Sequence, residues 1–329
     1  MNIRILLSLL MVLFMAGGGN AAGKKIDKSK DLKKGVTTGM KTYHMGRFAI
    51  DVPAEFKLEV QQHEFKLVKI QEFPWTHGED SSRQREQRWR ARLAEIEKLQ
   101  KPKGVQKIII KEEQLAGIGQ WARGVLYYHD YMTTRRGCWE IWTDFGNQLT
   151  VFKLNGLIEA QEKMLPWVME IARAYSPGVK KQGLNHPYFT GSGTIDLPYK
   201  RQESTYARFE GHPLLKKLEI TMNETHEDEA KKDGLLGRLA ASVITGFASG
   251  VDIDSVRTGK RTVAGMKGEE TILRMDDGRK KRLNFIWRFS GEKDSGNQPK
   301  IVFDMESELG QEKEKIKLWD AMLDSMRAQ

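Results

Sequence analysis

Apolar and polar residues alternate with a period of two in "GRFAIDVPAEF", which begins at Gly46. Phe48, Ile50 and Val52 fall on one side of a strand that Pro53 ends while holding Val52 extended. A second extended region, "KLEVQQHEFKLVKIQEF", follows from Lys57. From Ser82 the period lengthens: Trp89, Leu93, Ile96 and Gln100 share one helical face, and Pro102 with Gly104 closes the helix. Strand patterns return in "QKIIIKEEQL", "QWARGVLYYHDYM", "CWEIWTDF" and "QLTVFKL", with turn signals at Gly117, Gly137 and Gly146. A final helix over residues 157–175 places Met164, Trp167, Val168 and Ile171 on one side, and "SPG" at Ser176–Gly178 breaks it.

The second half repeats this order. "GSGTIDLPYKR" from Gly191 restates the opening phrase, with Asp196 lying 145 residues after Asp51. Trp142 and Trp287 are separated by the same 145, and each precedes a glycine by four residues, at Gly146 and Gly291. Further along, Gly117 answers Gly265, Phe152 answers Phe303, and Trp167 answers Trp319, at a spacing that drifts slowly as loop insertions would make it. Landmarks in one order at a drifting spacing predict two copies of one α+β unit, each an antiparallel sheet covered on one face by two helices. The predicted division is residues 41–178 for the N-terminal domain, 179–189 for a Gly/Pro-containing linker and 190–329 for the C-terminal domain.

Residues 1–22 differ from the rest. Arg4 precedes an apolar run from Ile5 to Met15 and a small-residue patch, "AGGGNAA", the pattern of a secretory signal cut after Ala21 or Ala22. The implied compartment is the periplasm. Residues 23–40 form a lysine-rich leader expected to remain flexible. The formal charge of +10 would suit nucleic acid, but an exported address favours an acidic protein partner or an anionic envelope surface. Cys138 is the only cysteine, so no intrachain disulfide can form, and its strand-like surroundings predict a buried, inert thiol.

Catalytic vocabulary is sparse. None of the seven histidines forms a helical i, i+4 metal pair, and one cysteine cannot make a Cys-x-x-Cys site, so no metal is predicted. The acids of "THEDE" at Thr225–Glu229 suit a helix entry. "GFASG" at Gly246–Gly250 lacks the spacing of a nucleophile elbow, and "GIGQWARG" at Gly117–Gly124 leads into a strand rather than a phosphate-binding helix. "LLGRLAASVITGF" from Leu235 carries one wide apolar face, suited to packing on the second sheet. No catalytic residue or cofactor is predicted. Two features suit partner binding: the arginines Arg83, Arg85 and Arg88 at the start of the first helix, and Phe73 with Trp75 in "EFPWTHGED". The arginines would make a basic docking face or a solvated one, and the aromatics an interface anchor or a flap over the core.

The chain resembles the immunity proteins that neutralise lipase effectors of the type VI secretion system. The resemblance rests on "GRFAIDVPAEF", "AGMKGEE" at Ala264–Glu270, "FIWRFSGE" at Phe285–Glu292 and "WDAMLDSM" at Trp319–Met326, taken in order from about residue 40 to the end. It implies a periplasmic two-domain binder, not an enzyme, that grips a phospholipase effector between its domains and blocks substrate entry or lid opening. Such a task needs a complementary surface and no reacting group. An envelope carrier of lipid or another apolar ligand is the second reading open to the same fold-level features, and an unrecognised hydrolase is the third.

Overall fold

The computed structural model describes residues 39–74, 81–178, 183–199, 202–225, 252–276 and 278–329. The predicted signal, all but two residues of the leader, Trp75, the acids of "THEDE", the "LLGRLAASVITGF" helix and "GFASG" fall outside them. Strands Met40–Met45 (β1) and Phe48–Pro53 (β2) form a hairpin that turns at Gly46, where φ is +58°. Then come Lys57–Phe65 (β3), Val68–Pro74 (β4), helix Ser81–Glu97 (α1), Ile109–Leu115 (β5), Trp121–Tyr128 (β6), Arg136–Asp144 (β7) and Gln148–Leu157 (β8). Helix Gln161–Ala174 (α2) and Tyr175–Pro177 (β9) end this half.

The other half starts with the hairpin Pro187–Phe189 (β10) and Gly193–Asp196 (β11). It continues through Glu203–Glu210 (β12), Lys217–Asn223 (β13), Asp252–Val263 (β14), Met266–Asp276 (β15), Lys281–Phe289 (β16) and Lys300–Glu308 (β17). Helix Glu312–Ser325 (α3) and Arg327–Ala328 (β18) close the chain. No helix among the described residues is long and apolar enough to cross a membrane.

Twelve strands form one antiparallel sheet in the order β14-β15-β16-β17-β13-β12-β3-β4-β8-β7-β6-β5. Read outward from its centre, each half supplies six strands in the same topological order, so the repeat seen in the sequence is a repeat of architecture. The centre is the β3·β12 pair, which joins the halves edge to edge from Lys57↔Glu210 to Phe65↔Glu203. Residues Thr38–Gln329 are a single compact unit.

Helices α1 and α2 lie on opposite faces of the first half's sheet, where the helical spacing alone predicts one face. Successive strand residues point to opposite sides. Val125, Tyr127 and Cys138 meet Trp89 and Ile96 of α1, whereas Leu126, Trp139 and Ile141 meet Met164, Val168 and Ile171 of α2. The reason is the unbroken buried run on β7, Gly137 to Ile141, which needs cover on both sides. Cys138 is part of that cover, and burial pushes its thiol up to about 11.

Each "ID-apolar-Pro" hairpin opens one half in sequence and closes the core of the other half in space. Phe48, Ile50 and Val52 of β2 pack with Phe285, Trp287, Phe303 and Trp319 of the second half. Tyr188 and Ile195 of the second hairpin pack with Phe65, Phe152 and Ile171 of the first. The chain ends follow the same exchange. Strand β9, after α2, pairs with β11, and β18, after α3, pairs with β2. Asp51 seals the second junction by accepting from Arg327 Nη2 at 3.1 Å and from Thr42 Oγ1 at 2.6 Å. Burial pushes the Asp51 carboxyl up, but these contacts outweigh it and lower its pKa.

Candidate functional site

Among the described residues, no group of three or more His, Cys, Asp or Glu side chains is gathered to hold a metal. Two of the described histidines serve packing and turns: His44 lies against Phe189, and His212 Nδ1 accepts from the amides of Leu214 and Leu215. Surfaces and clefts are therefore what the fold offers.

Helix α1 has no acidic residue in its first turn, against the preference of the helix dipole. Part of its arginine density answers two carboxylates buried on β7. Asp144, with a fully buried side chain, takes Arg85 Nη1 at 2.9 Å, and the Arg85 guanidinium lies 5.1 Å from the Trp121 ring. Glu140, equally buried, takes Arg92 Nε and Nη2 at 2.8 Å each, Trp142 Nε1 at 2.7 Å and Lys153 Nζ at 3.3 Å. Burial raises the Glu140 carboxyl, and Arg92 and Lys153 more than reverse the effect. Arg85 thus faces inward, while Arg83 and Arg88 are exposed. Phe73, 39% exposed, sits at the same end of the sheet. It pairs with Leu149, which pairs with Asp144, so Phe73 and the Arg85 partner share a row and a face two strands apart.

A second feature lies where the halves meet. Strands β3 and β4 are joined by Lys66 and Leu67, both at positive φ (49° and 65°), the dihedral pattern of a two-residue type I′ turn. The ladder pairs Phe65 with Val68, Glu64 with Lys69 and His63 with Ile70, and there it ends. Strand β3 continues along β12 and β4 along β8, so the sheet forks. Alternation in an antiparallel ladder would make Gln61 and Glu72 the next residues to exchange main-chain bonds, and they do not.

Two causes of the fork are visible. The β3·β12 register shifts at Glu59, a bulge that bends β3. On the other side, Glu72 is held by the second hairpin and β9. It accepts from Tyr175 Oη at 2.7 Å, from Ser192 N at 2.9 Å and from Thr190 Oγ1.

Cavities of about 280 and 300 Å³ flank the fork, and Gln61, His63, Ile70 and Gln71 line both. Glu72, Phe73, Thr190 and Ser192 complete the first, on the side of the hairpins. His63 is only 5% exposed, and its Nε2 has no hydrogen-bond partner. Burial pushes its pKa down to about 3, so the ring is neutral.

Of the residues that line the fork, Phe73 stands out in the sequence, whereas His63, Glu72 and Gln61 do not. A signal was present: in "QQHEF", Gln61 and His63 occupy the same side of β3 as the core residue Phe65, and polar residues at inward positions need a reason. Of the five residues read as partner-binding, the fold brings Phe73 to the fork and sets Arg83 and Arg88 on the surface. It turns Arg85 toward Asp144, and Trp75 lies outside the described residues.

Residues 191–329 match the family model of the Tle cognate immunity protein 4 C-terminal domain. Solved structures share the fold at low sequence identity. The apo immunity protein TplEi of the type VI secretion system from Pseudomonas aeruginosa is 16% identical over 88% of this chain and 97% of its own, with a TM-score of 0.71. A chain of the Tle4-Tli4 complex gives 16% identity, the same two coverages and a TM-score of 0.70. TplEi complexed with an "L" peptide gives 18%, 88% of this chain, 98% of its own and 0.65. No curated protein sequence matches the chain. Over residues 191–329 the chain is thus similar to the Tle cognate immunity protein 4 C-terminal domain, and along 88% of its length it shares the fold of the immunity protein TplEi.

Proposed function

We propose that this chain is a periplasmic immunity protein that binds a type VI secretion lipase effector and holds it inactive without chemistry of its own. The observation that carries this reading is the family match over residues 191–329, supported by a fold shared along 88% of the chain with the immunity protein TplEi and with a chain of the Tle4-Tli4 complex. The arrangement suits a binder. Its two halves are fixed edge to edge through β3·β12 and by exchanged hairpins, so a partner spanning both would meet a preorganised surface and lose little ordering entropy. The finer reading is that the effector is gripped across both halves, with substrate access or lid opening blocked. Phe73 and the exposed Arg83 and Arg88 would contribute to the contact, and residues 1–22 would direct export.

A carrier of apolar ligands would want an apolar cavity. Both cavities at the fork are lined largely by Gln, Glu, His, Ser and Thr, which weighs against that reading. The test is co-expression with any lipase that a neighbouring reading frame is found to encode, with and without residues 1–22. Rescue from toxicity that requires the export segment, together with a stoichiometric complex of nanomolar or tighter affinity, about −12 kcal/mol, is the expected outcome. Toxicity undiminished despite full periplasmic expression would overturn the proposal.

A further inference from the structure

The hairpin-side cavity at the fork collects acceptors and no cation. Tyr188 Oη lies 2.9 Å from Ser204 O and 3.1 Å from Glu64 O, so its single proton is directed to a carbonyl. The 3.1 Å contact between Tyr188 Oη and Thr205 Oγ1 is then made by the threonine proton, which leaves Thr205 Oγ1 as an acceptor. His63 Nδ1, 3.4 Å from that oxygen, is accordingly its donor, and the lone pair falls on Nε2, the buried atom without a partner. The same cavity holds the Glu72 carboxyl, which burial pushes up and whose partners are the Tyr175 and Thr190 hydroxyls, the Ser192 amide and the Gln148 side chain, all neutral; among the described residues no Lys or Arg pairs with it. Gln61 adds an amide beside both.

A buried neutral acceptor left unpaired costs stability, as does a carboxylate in a cleft with no counter-charge. Groups of this kind are kept where a ligand completes them. From this geometry we propose that the cavity between β3 and β4 is a receptor for an arginine side chain of the bound protein partner, with the guanidinium donating to Glu72 and Gln61 together and the neutral His63 ring, whose Nε2 is sealed from solvent, lying beside it. Arginine suits the site better than lysine, because its planar, multiply donating head can reach separated acceptors while its stem lies on Ile70 and Phe73. This deepens the immunity reading and rests on it for the source of the side chain. It also assigns the fork a purpose: a continuous ladder past His63 would close the cavity.

The test needs no effector. The full mature chain is titrated with Nα-acetyl-arginine amide, and separately with the uncharged citrulline analogue, while long-range proton–nitrogen correlation spectra follow the imidazole nitrogens. Saturable displacement of the His63 Nε2 signal in the millimolar range is expected for the arginine probe. The citrulline analogue, and the arginine probe on Glu72→Gln, should bind about tenfold more weakly or worse, as loss of a charge-assisted contact implies. If Glu72→Gln does not fold, the comparison of the two probes on the unaltered chain decides. No displacement at His63, or equal binding of the two probes, overturns the proposal. A chain that ignores the probe yet captures its effector would lose the pocket and keep the immunity reading; one that binds the probe but no lipase would do the reverse.

Discussion

Arg47 and Glu203 meet in a two-pronged ion pair, with Nε to Oε2 at 2.9 Å and Nη2 to Oε1 at 2.5 Å, and both side chains at most 10% exposed. The pair ties the turn of the first hairpin to the first residue of β12. Arg47 also donates to the carbonyls of His186 at 3.2 Å and Leu197 at 3.3 Å, so one guanidinium binds the second hairpin as well. It is therefore a junction for both exchanged hairpins.

Replacing Arg47 with methionine should destabilise the chain by about 3–5 kcal/mol, since Glu203 would be left buried and several carbonyls would lose their donor. The double replacement Arg47→Met/Glu203→Met should cost less than the single one. Urea unfolding of the three variants checks this. A single variant as stable as the parent would show that the pair does not carry the junction.

The two repeated aspartates do different local work for the same end. Asp51 holds Arg327 and accepts the Thr42 hydroxyl, while Asp196 Oδ1 accepts the amides of His186 at 2.9 Å and Asn185 at 3.2 Å. Asp51→Ala and Asp196→Ala should each lower stability by about 1 kcal/mol, in line with exposed or half-exposed polar contacts. Effector affinity, measured by titration calorimetry on the folded variants, should be unchanged. A stable double variant that no longer binds would relocate the recognition surface to the hairpins.

His63 predicts a pH dependence. An unfolded histidine titrates near about 6.5, while burial holds His63 down to about 3 in the folded chain. Between these values the unfolded state binds more protons than the folded state, so the His63 contribution weakens the fold as pH falls through that window. His129 and His212 are also lowered by burial and act in the same direction. His63→Gln removes one titrating site, so the loss of stability between about pH 7 and about pH 4 should shrink by a few kcal/mol relative to the parent. Urea midpoints at the two pH values measure it; identical slopes in parent and variant would mean that His63 is protonated at little cost.

Much of this fold was legible in the chain. Period-two and period-3.6 patterns place most strands and the helices, and the recurrence of Asp51, Trp142 and Phe152 as Asp196, Trp287 and Phe303 gives the repeat, which the two matching sets of six strands embody. What the pattern could not carry was partnership. An apolar face on β2 requires burial, but nothing in its periodicity says that Phe285 and Trp319 of the other half will cover it. The same limit hid the second face of β7, although the unbroken run around Cys138 and Trp139 was a cue. The fork was hidden for another reason. It arises where a ladder stops, and hydrophobic pattern marks where strands lie rather than where their hydrogen bonds end. For the arginines of α1, charge could be counted from the sequence, but only the positions of Asp144 and Glu140 separate the inward from the outward ones.

That separation turns the basic helix into a test with two arms. Arg85 neutralises the buried Asp144, so Arg85→Ala should destabilise the chain by roughly 2–4 kcal/mol through the carboxylate it strands. Arg83→Glu/Arg88→Glu alters exposed charge and should change stability by less than about 0.5 kcal/mol. If α1 steers an acidic partner, the double charge reversal should slow association by about tenfold at low salt and much less at high salt, with dissociation nearly unchanged. Surface plasmon resonance across an ionic-strength series separates these outcomes. Equal association rates for parent and double variant at every salt concentration would leave α1 as a solvated cover for the Trp89 cluster and move the contact to the fork between β3 and β4.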